Sequence, residues 1–127
     1  MKHKIITIQN GRIYVRDAQD SEKRHNCLDL AIRKRFQVQG IASYLGISER
    51  YMHQVFVKHL GISPKDWLRN ERMRLAIHLI RENNELKRIS ELLGFAHYTH
   101  FCKEIKSFYD LTPMQLAKKE SQLQKIA

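Results

Sequence analysis

At 127 residues, 43% of them hydrophobic, the chain can bury one ordinary core or two small ones sharing an element, which excludes global disorder. Lys and Arg number 23 against 13 Asp and Glu, a formal net charge of +10 that draws polyanions, nucleic acid or anionic membrane foremost. No apolar run approaches membrane-spanning length, no signal-peptide core opens the chain, and Cys27 and Cys102 lie too far apart to suggest a disulfide framework, so a reducing cytoplasm is expected.

In chain order, Ile5 to Ile8 and Ile13 to Val15 flank Asn10-Gly11, the pair that favours a type I′ turn, and predict a short β-hairpin. Residues from Asp17 to Asn26 are polar and charged and read as a linker. Leu28, Ala31, Ile32 and Phe36 then form one helical stripe. A short helix from about Gln39 to Leu45 stops at Gly46, and Ser48 N-caps a helix with Met52, Val55 and Phe56 inward, ending at Gly61. Ser63-Pro64 opens a long amphipathic helix carrying Trp67, Leu68, Leu75, Ala76, Leu79 and Ile80, ended by Asn83-Asn84. A second short helix runs to Leu93 before Gly94, a further helix runs through Tyr109, and Thr112-Pro113 opens a last helix that frays after Lys118.

The two halves repeat. Gly46 and Gly94 are 48 residues apart, whereas Met52 and Phe101, Phe56 and Ile105, and Pro64 and Pro113 are each 49 apart, so one extra residue follows the second glycine. Short helix, glycine turn and second helix is the plan of a helix-turn-helix: Ala42 is small where the helices cross, and glycine permits the left-handed turn. The expected fold is therefore all-α, with tandem helix-turn-helix subdomains joined by a long central helix and preceded by a short N-terminal β-hairpin. The expected divisions are 1–26 for hairpin and linker, 27–121 for the helical body (27–62, 63–83 and 84–121), and 122–127 for a tail.

The residues Tyr51-Met-His-Gln-Val-Phe56-Val-Lys-His-Leu-Gly61-Ile-Ser-Pro64, Arg72-Met-Arg-Leu-Ala76, Ile89-Ser-Glu-Leu-Leu-Gly94-Phe95, His100-Phe101 and Leu111-Thr-Pro113 resemble the DNA-binding domain of the AraC/XylS family of bacterial transcription regulators. The resemblance covers about Asp29 to Leu116. It implies seven helices and two recognition helices entering adjacent major-groove segments of double-stranded DNA. Ser90, Ile105, Asp110 and Leu116-Ala117 depart from the family pattern, which has alanine, phenylalanine, glycine and an aromatic-arginine pair there.

Helix geometry then selects DNA-facing residues. In the first unit Glu49, Arg50, His53 and Gln54 project outward. Arg50 suits guanine and Gln54 adenine in bidentate fashion, with His53 as a third base reader. In the second unit His97, Tyr98, Thr99, Cys102 and Lys103 face outward, a set poorer in bidentate chemistry and suited to looser demand. Tyr98, Thr99, Cys102 and Lys103 join the base-reading set; Cys102 suits a thymine methyl or a half-buried small position. Glu49, Lys58, Arg69, His97, His100 and Lys106 are assigned to the DNA backbone. The expected function is a sequence-specific transcription regulator, an activator, acting in the bacterial cytoplasm at the nucleoid with RNA polymerase as partner. An interaction protein that uses the same fold to bind another regulator or the polymerase is the alternative, and an architectural DNA binder a third option.

No catalytic residues are assigned: the chain has no nucleophile-base pair, no phosphate-cradling glycine loop and no carboxylate pair in an apolar setting. His97 and His100 stand i, i+3, but no third ligand completes a metal set, so no metal or cofactor is expected. About 26 residues precede the first helix, too few for a ligand pocket, so no small-molecule effector domain is evident: either the protein acts without an effector, as a monomer on an asymmetric site, or the chain is part of something larger.

Overall fold

Asn10 and Gly11 both adopt left-handed backbone, with φ of +54° and +75°, and reverse the chain between β1 (Lys4–Gln9) and β2 (Arg12–Asp17). This is seen in a computed structural model that describes residues 3–20, 22–82 and 84–126. The segment expected as a linker carries a third strand, β3 (Arg24–Asn26), antiparallel to β2, so the sheet order is β1-β2-β3. Asp20 makes the return possible: its Oδ1 accepts from the backbone N–H groups of Glu22 and Lys23 at 3.0 and 3.2 Å. Polar composition concealed the strand because its pairing partner, not its own side chains, makes it one.

Seven helices follow among the described residues, and the chain divides into two compact units, Met1–Asn70 and Glu71–Ala127. In the first, Asn26 ends β3 and caps α1 (Cys27–Arg33), its side chain accepting from Asp29 N at 3.1 Å. The expected stripe on this helix is displaced: Cys27, Leu30 and Ala31 are buried, while Leu28 is half-buried and Ile32 is 42% exposed. The helix is also too short to carry Phe36. It ends in a Schellman motif, Phe36 N bonding Ala31 O at 2.7 Å and Arg35 N bonding Ile32 O at 3.2 Å. Arg35 and Phe36 both have positive φ, +55° and +59°, and Phe36 reaches the core through this bend rather than along a helix face.

A left-handed arginine is strained where glycine is not. Arg35→Gly is therefore expected to raise stability by roughly 0.5–1 kcal/mol, read as a higher midpoint in urea with an unchanged slope. A lower midpoint would mean that the exposed Arg35 side chain holds the bend.

The next elements follow the repeat. In α2 (Val38–Leu45) Ile41 and Ala42 are buried, and Gly46 ends the helix at φ +69°. Ser48 caps α3 (Glu49–Leu60) by accepting from Tyr51 N at 3.0 Å, and Met52, Val55 and Phe56 are buried. The Ser63 hydroxyl caps α4 (Pro64–Arg81) on Asp66 N at 3.1 Å. Trp67 and Leu68 enter the core of the first unit, with the Trp67 indole meeting Phe56 edge-on at 5.6 Å; Met73, Ala76 and Ile80 enter that of the second.

Asn83, half of the expected helix stop, lies outside the described residues; Asn84 Nδ2 donates to Leu79 O at 2.9 Å and closes the end of α4. In the second unit come α5 (Leu86–Leu92), α6 (Tyr98–Tyr109) and α7 (Pro113–Ile126), packed around Ile89, Leu93, Phe95, Phe101, Ile105 and Leu116. Thr112 and Gln115 cap α7 reciprocally, at 2.9 and 3.2 Å. This helix does not fray after Lys118. Arg81 Nε donates to the largely buried Glu120 carboxylate at 2.9 Å and Gln124 Nε2 to Arg81 O at 2.8 Å, tying its C-terminal half down. The departures at Ser90 and Ile105 are accommodated: both are buried, and among the described residues no buried side-chain nitrogen or oxygen lacks a hydrogen-bond partner.

Candidate nucleic-acid interface

Each unit builds its exposed helix from the same backbone frame. Ile47 N bonds Ala42 O at 3.0 Å in the first turn, and Phe95 N bonds Ser90 O at 3.1 Å in the second. Gly46 N and Gly94 N likewise return to Ser43 O and Glu91 O. The two turns match up to Ile47 and Phe95, after which Ser48 corresponds to His97, so the additional residue is Ala96. Beyond it the helices start differently. Ser48 caps α3 with its side chain, whereas His97 makes no side-chain cap on α6.

On α3 burial of Met52, Val55 and Phe56 leaves Glu49, Arg50, His53 and Gln54 exposed, as their spacing predicts. Val57 belongs to the same outer face: it is 45% exposed and lies one turn beyond His53 and two beyond Arg50. The sequence signal for it was its absence from the inward set; an exposed branched methyl pair is suited to a thymine methyl. Lys58 is exposed as well. One flank of α3 is not open. The Tyr51 hydroxyl accepts from Lys4 N of β1 at 3.0 Å, and Lys4 Nζ pairs with Asp17. Between β1 and α3 runs a groove of about 520 Å³ whose α3 wall includes Gln54, Lys58 and His59. Arg69, near the end of the first unit, is exposed on α4.

On α6 Phe101 and Ile105 are fully buried, and His97, Thr99, His100, Lys103 and Lys106 are exposed. Several of these side chains already have work in the fold. The His100 ring meets Phe95 edge-on at 5.3 Å, and Lys106 Nζ donates to Asp110 O at 3.0 Å. Asp110 holds the left-handed end of α6 at φ +61°, a conformation that an aspartate tolerates better than most side chains. Tyr98 and Cys102, one turn apart, are both half-buried. Burial first, then contact with the Cys102 thiol, pushes the Tyr98 phenol above its usual range. Burial alone pushes the Cys27 thiol up to about 12, which leaves it protonated and unreactive at neutral pH.

Arg72 has a structural role that its spacing in the sequence does not announce. Its Nε donates to Leu93 O at 2.9 Å and its guanidinium lies 3.6 Å from the Phe95 ring centre, so it braces the turn before α6. Among the described residues no three His, Cys, Asp or Glu side chains group so as to hold a metal, and no helix is long and apolar enough to cross a membrane.

A family model described as a helix-turn-helix domain matches residues 41–119. An HTH-type transcriptional regulator of Haemophilus influenzae is 29% identical over 105 residues, covering 79% of this chain and 35% of that protein. A response regulatory protein of Staphylococcus epidermidis is 26% identical over 109 residues, 86% of this chain and 41% of the other, so the chain spans well under half of these relatives. Among solved structures, the C-terminal domain of the two-component response regulator yesN from Fusobacterium nucleatum superposes with a TM-score of 0.64 at 26% identity, over 72% of this chain and 90% of that one. An AraC-type transcriptional regulator from Chromobacterium violaceum shares the fold at a TM-score of 0.60 and 22% identity, over 75% of this chain and 88% of its own.

Proposed function

The chain belongs to the AraC-type helix-turn-helix family of DNA-binding domains, and from that membership we propose that it is a sequence-specific transcription regulator, an activator that engages RNA polymerase in the bacterial cytoplasm. Its two exposed helices, α3 and α6, enter successive major-groove segments of an asymmetric site. Arg50, His53 and Gln54 read bases in the first segment. Tyr98, Thr99, Cys102 and Lys103 meet the second with looser demand. Glu49, Lys58, Arg69, His97, His100 and Lys106 lie along the backbone.

The observation that carries this reading is the division of labour on α3. Its inner side is sealed by Met52, Val55 and Phe56, while the N-terminal half of its outer side presents Arg50, His53 and Gln54 to solvent. These are the side chains whose donor and acceptor geometry matches base edges. Alpha-helical pairs built only for packing have no need of such a face.

Binding to a selected duplex and to a scrambled one, each followed through a salt series, tests the proposal. The expected result is affinity that falls steeply with salt for both duplexes, with a specific-to-non-specific ratio of about 10³ or more. A ratio near one would reduce the protein to an architectural binder, and no duplex binding at all would remove the reading.

A further inference from the structure

Strand register divides the small sheet into two faces. Ile6 and Val15, paired across β1 and β2, are both buried and mark the inner face, shared by Lys4 and Asp17. The outer face then carries Ile5 and Thr7 of β1, Arg12, Tyr14 and Arg16 of β2, and Arg24 of β3. No carboxylate side chain shares it among the described residues of the strands.

The arginines on this face are placed against the interest of the sheet. Arg16 and Arg24 are direct cross-strand partners, and like charges directly opposite destabilise a strand pair. They are nonetheless held in position. The Arg24 guanidinium lies 4.1 Å from the Tyr14 ring centre and bonds Gln9, while Arg16 donates to the carbonyls of Asp17 and Ala18 at 3.0 and 3.2 Å. Positioned arginines beside an aromatic ring, with no carboxylate on their face, suit a phosphate-bearing partner.

The neighbour of this sheet supplies the partner. His3 and Ile5, outer-face residues by the same alternation, line together with the inner-face Lys4 the groove that Tyr51, Gln54, Val55, Lys58 and His59 of α3 border on the other side. The β1 edge of the sheet and the flank of α3 that carries Gln54, Lys58 and His59 therefore border one groove of the first unit.

Resting on the reading of α3 as a base-reading helix, we propose that the sheet is a second grip on the same duplex, with Arg12, Arg16 and Arg24 on backbone phosphates beside the major-groove segment that α3 enters. The grip reads no bases. It adds affinity that is indifferent to sequence and sensitive to salt.

The test uses the full chain with a selected and a scrambled duplex. Replacing all three arginines by glutamine is expected to lower the log–log salt slope by about 2–3 and to weaken both duplexes alike, by roughly eightfold per lost contact at 0.1 M salt. Replacing them by lysine is expected to keep the slope, since counterion release counts charge. Circular dichroism checks that the sheet persists. Independently of any variant, phenylglyoxal labelling of the unaltered chain should show Arg12, Arg16 and Arg24 protected by the duplex. Unchanged slope in the glutamine variant, or full labelling in the complex, overturns the grip. If Arg50→Ala still relaxes base preference in that case, the function stands without it. Loss of binding to phosphatidylglycerol vesicles, with duplex affinity intact, would assign the face to a lipid surface and overturn the proposal too.

Discussion

Replacing Phe101 by alanine is expected to destabilise the second unit by about 3–5 kcal/mol, the usual cost of emptying a large aromatic site in a packed core. Phe101 is wholly buried and meets the rings of Phe95 and Tyr98 at 5.5 and 5.8 Å, so the space it leaves has aromatic walls that cannot close readily. Set against a typical domain stability of about 5–15 kcal/mol, the loss is a large share of what one small unit holds. Chemical denaturation followed by circular dichroism at 222 nm measures it, with Met114→Ala as the control. Met114 is 74% exposed, and its truncation should stay within about 0.5 kcal/mol. Equal effects for the two substitutions would show that α6 is not anchored through Phe101.

The second large effect is on recognition. Arg50→Ala is expected to cost about 1–3 kcal/mol of binding to the preferred duplex and to flatten preference at a single base pair, because a guanidinium fork on guanine is lost. Lys58→Ala should weaken every sequence alike and lower the salt slope by about 1. Selection from a randomised duplex pool, repeated with each variant, separates the two outcomes. A uniform loss from Arg50→Ala would move that residue from the base edges to the backbone. Stability provides the internal check: Arg50 is exposed on α3, and its truncation should leave the denaturation midpoint within about 0.5 kcal/mol.

The elements that were legible in advance are those whose chemistry is local. Ser48, Gly46, Ser63-Pro64 and Thr112-Pro113 each specify a helix boundary through bonds to residues three or four positions away, and they stand at those boundaries. Likewise Asn10-Gly11 specifies its turn by itself. What periodicity misread was decided at a distance. The Arg24-His25-Asn26 strand exists because β2 offers it an edge, and α7 continues to Ile126 with Glu120 and Gln124 meeting Arg81 across some forty positions of sequence. Ile32 looked like core because it is apolar, yet the face of α1 that packs inward is the one bearing Cys27, Leu30 and Ala31, which leaves Ile32 exposed.

The candidate interface divides in the same way. The outward set on α3 follows from helical phase alone, which makes Arg50, His53 and Gln54 readable in sequence. On α6 phase also predicts exposure, but not that His100 rests against Phe95, that Lys106 bonds the carbonyl of Asp110, or that Tyr98 and Cys102 are half-buried together. No pattern in the chain announces that β1 lies along α3, since the Lys4–Tyr51 bond joins segments with no periodicity in common.

That bond carries a consequence for anyone who would re-engineer this helix. An edge strand whose N–H groups point outward is a template on which a second chain can add, the first step towards aggregation. Here a phenol from α3 occupies one such position on β1, and a helix side lies along that edge. Tyr51 therefore covers one of the N–H groups on which a second chain could add. A library built on α3 to alter base preference should leave Tyr51 untouched, because variants lost to precipitation would otherwise be scored as variants that fail to bind.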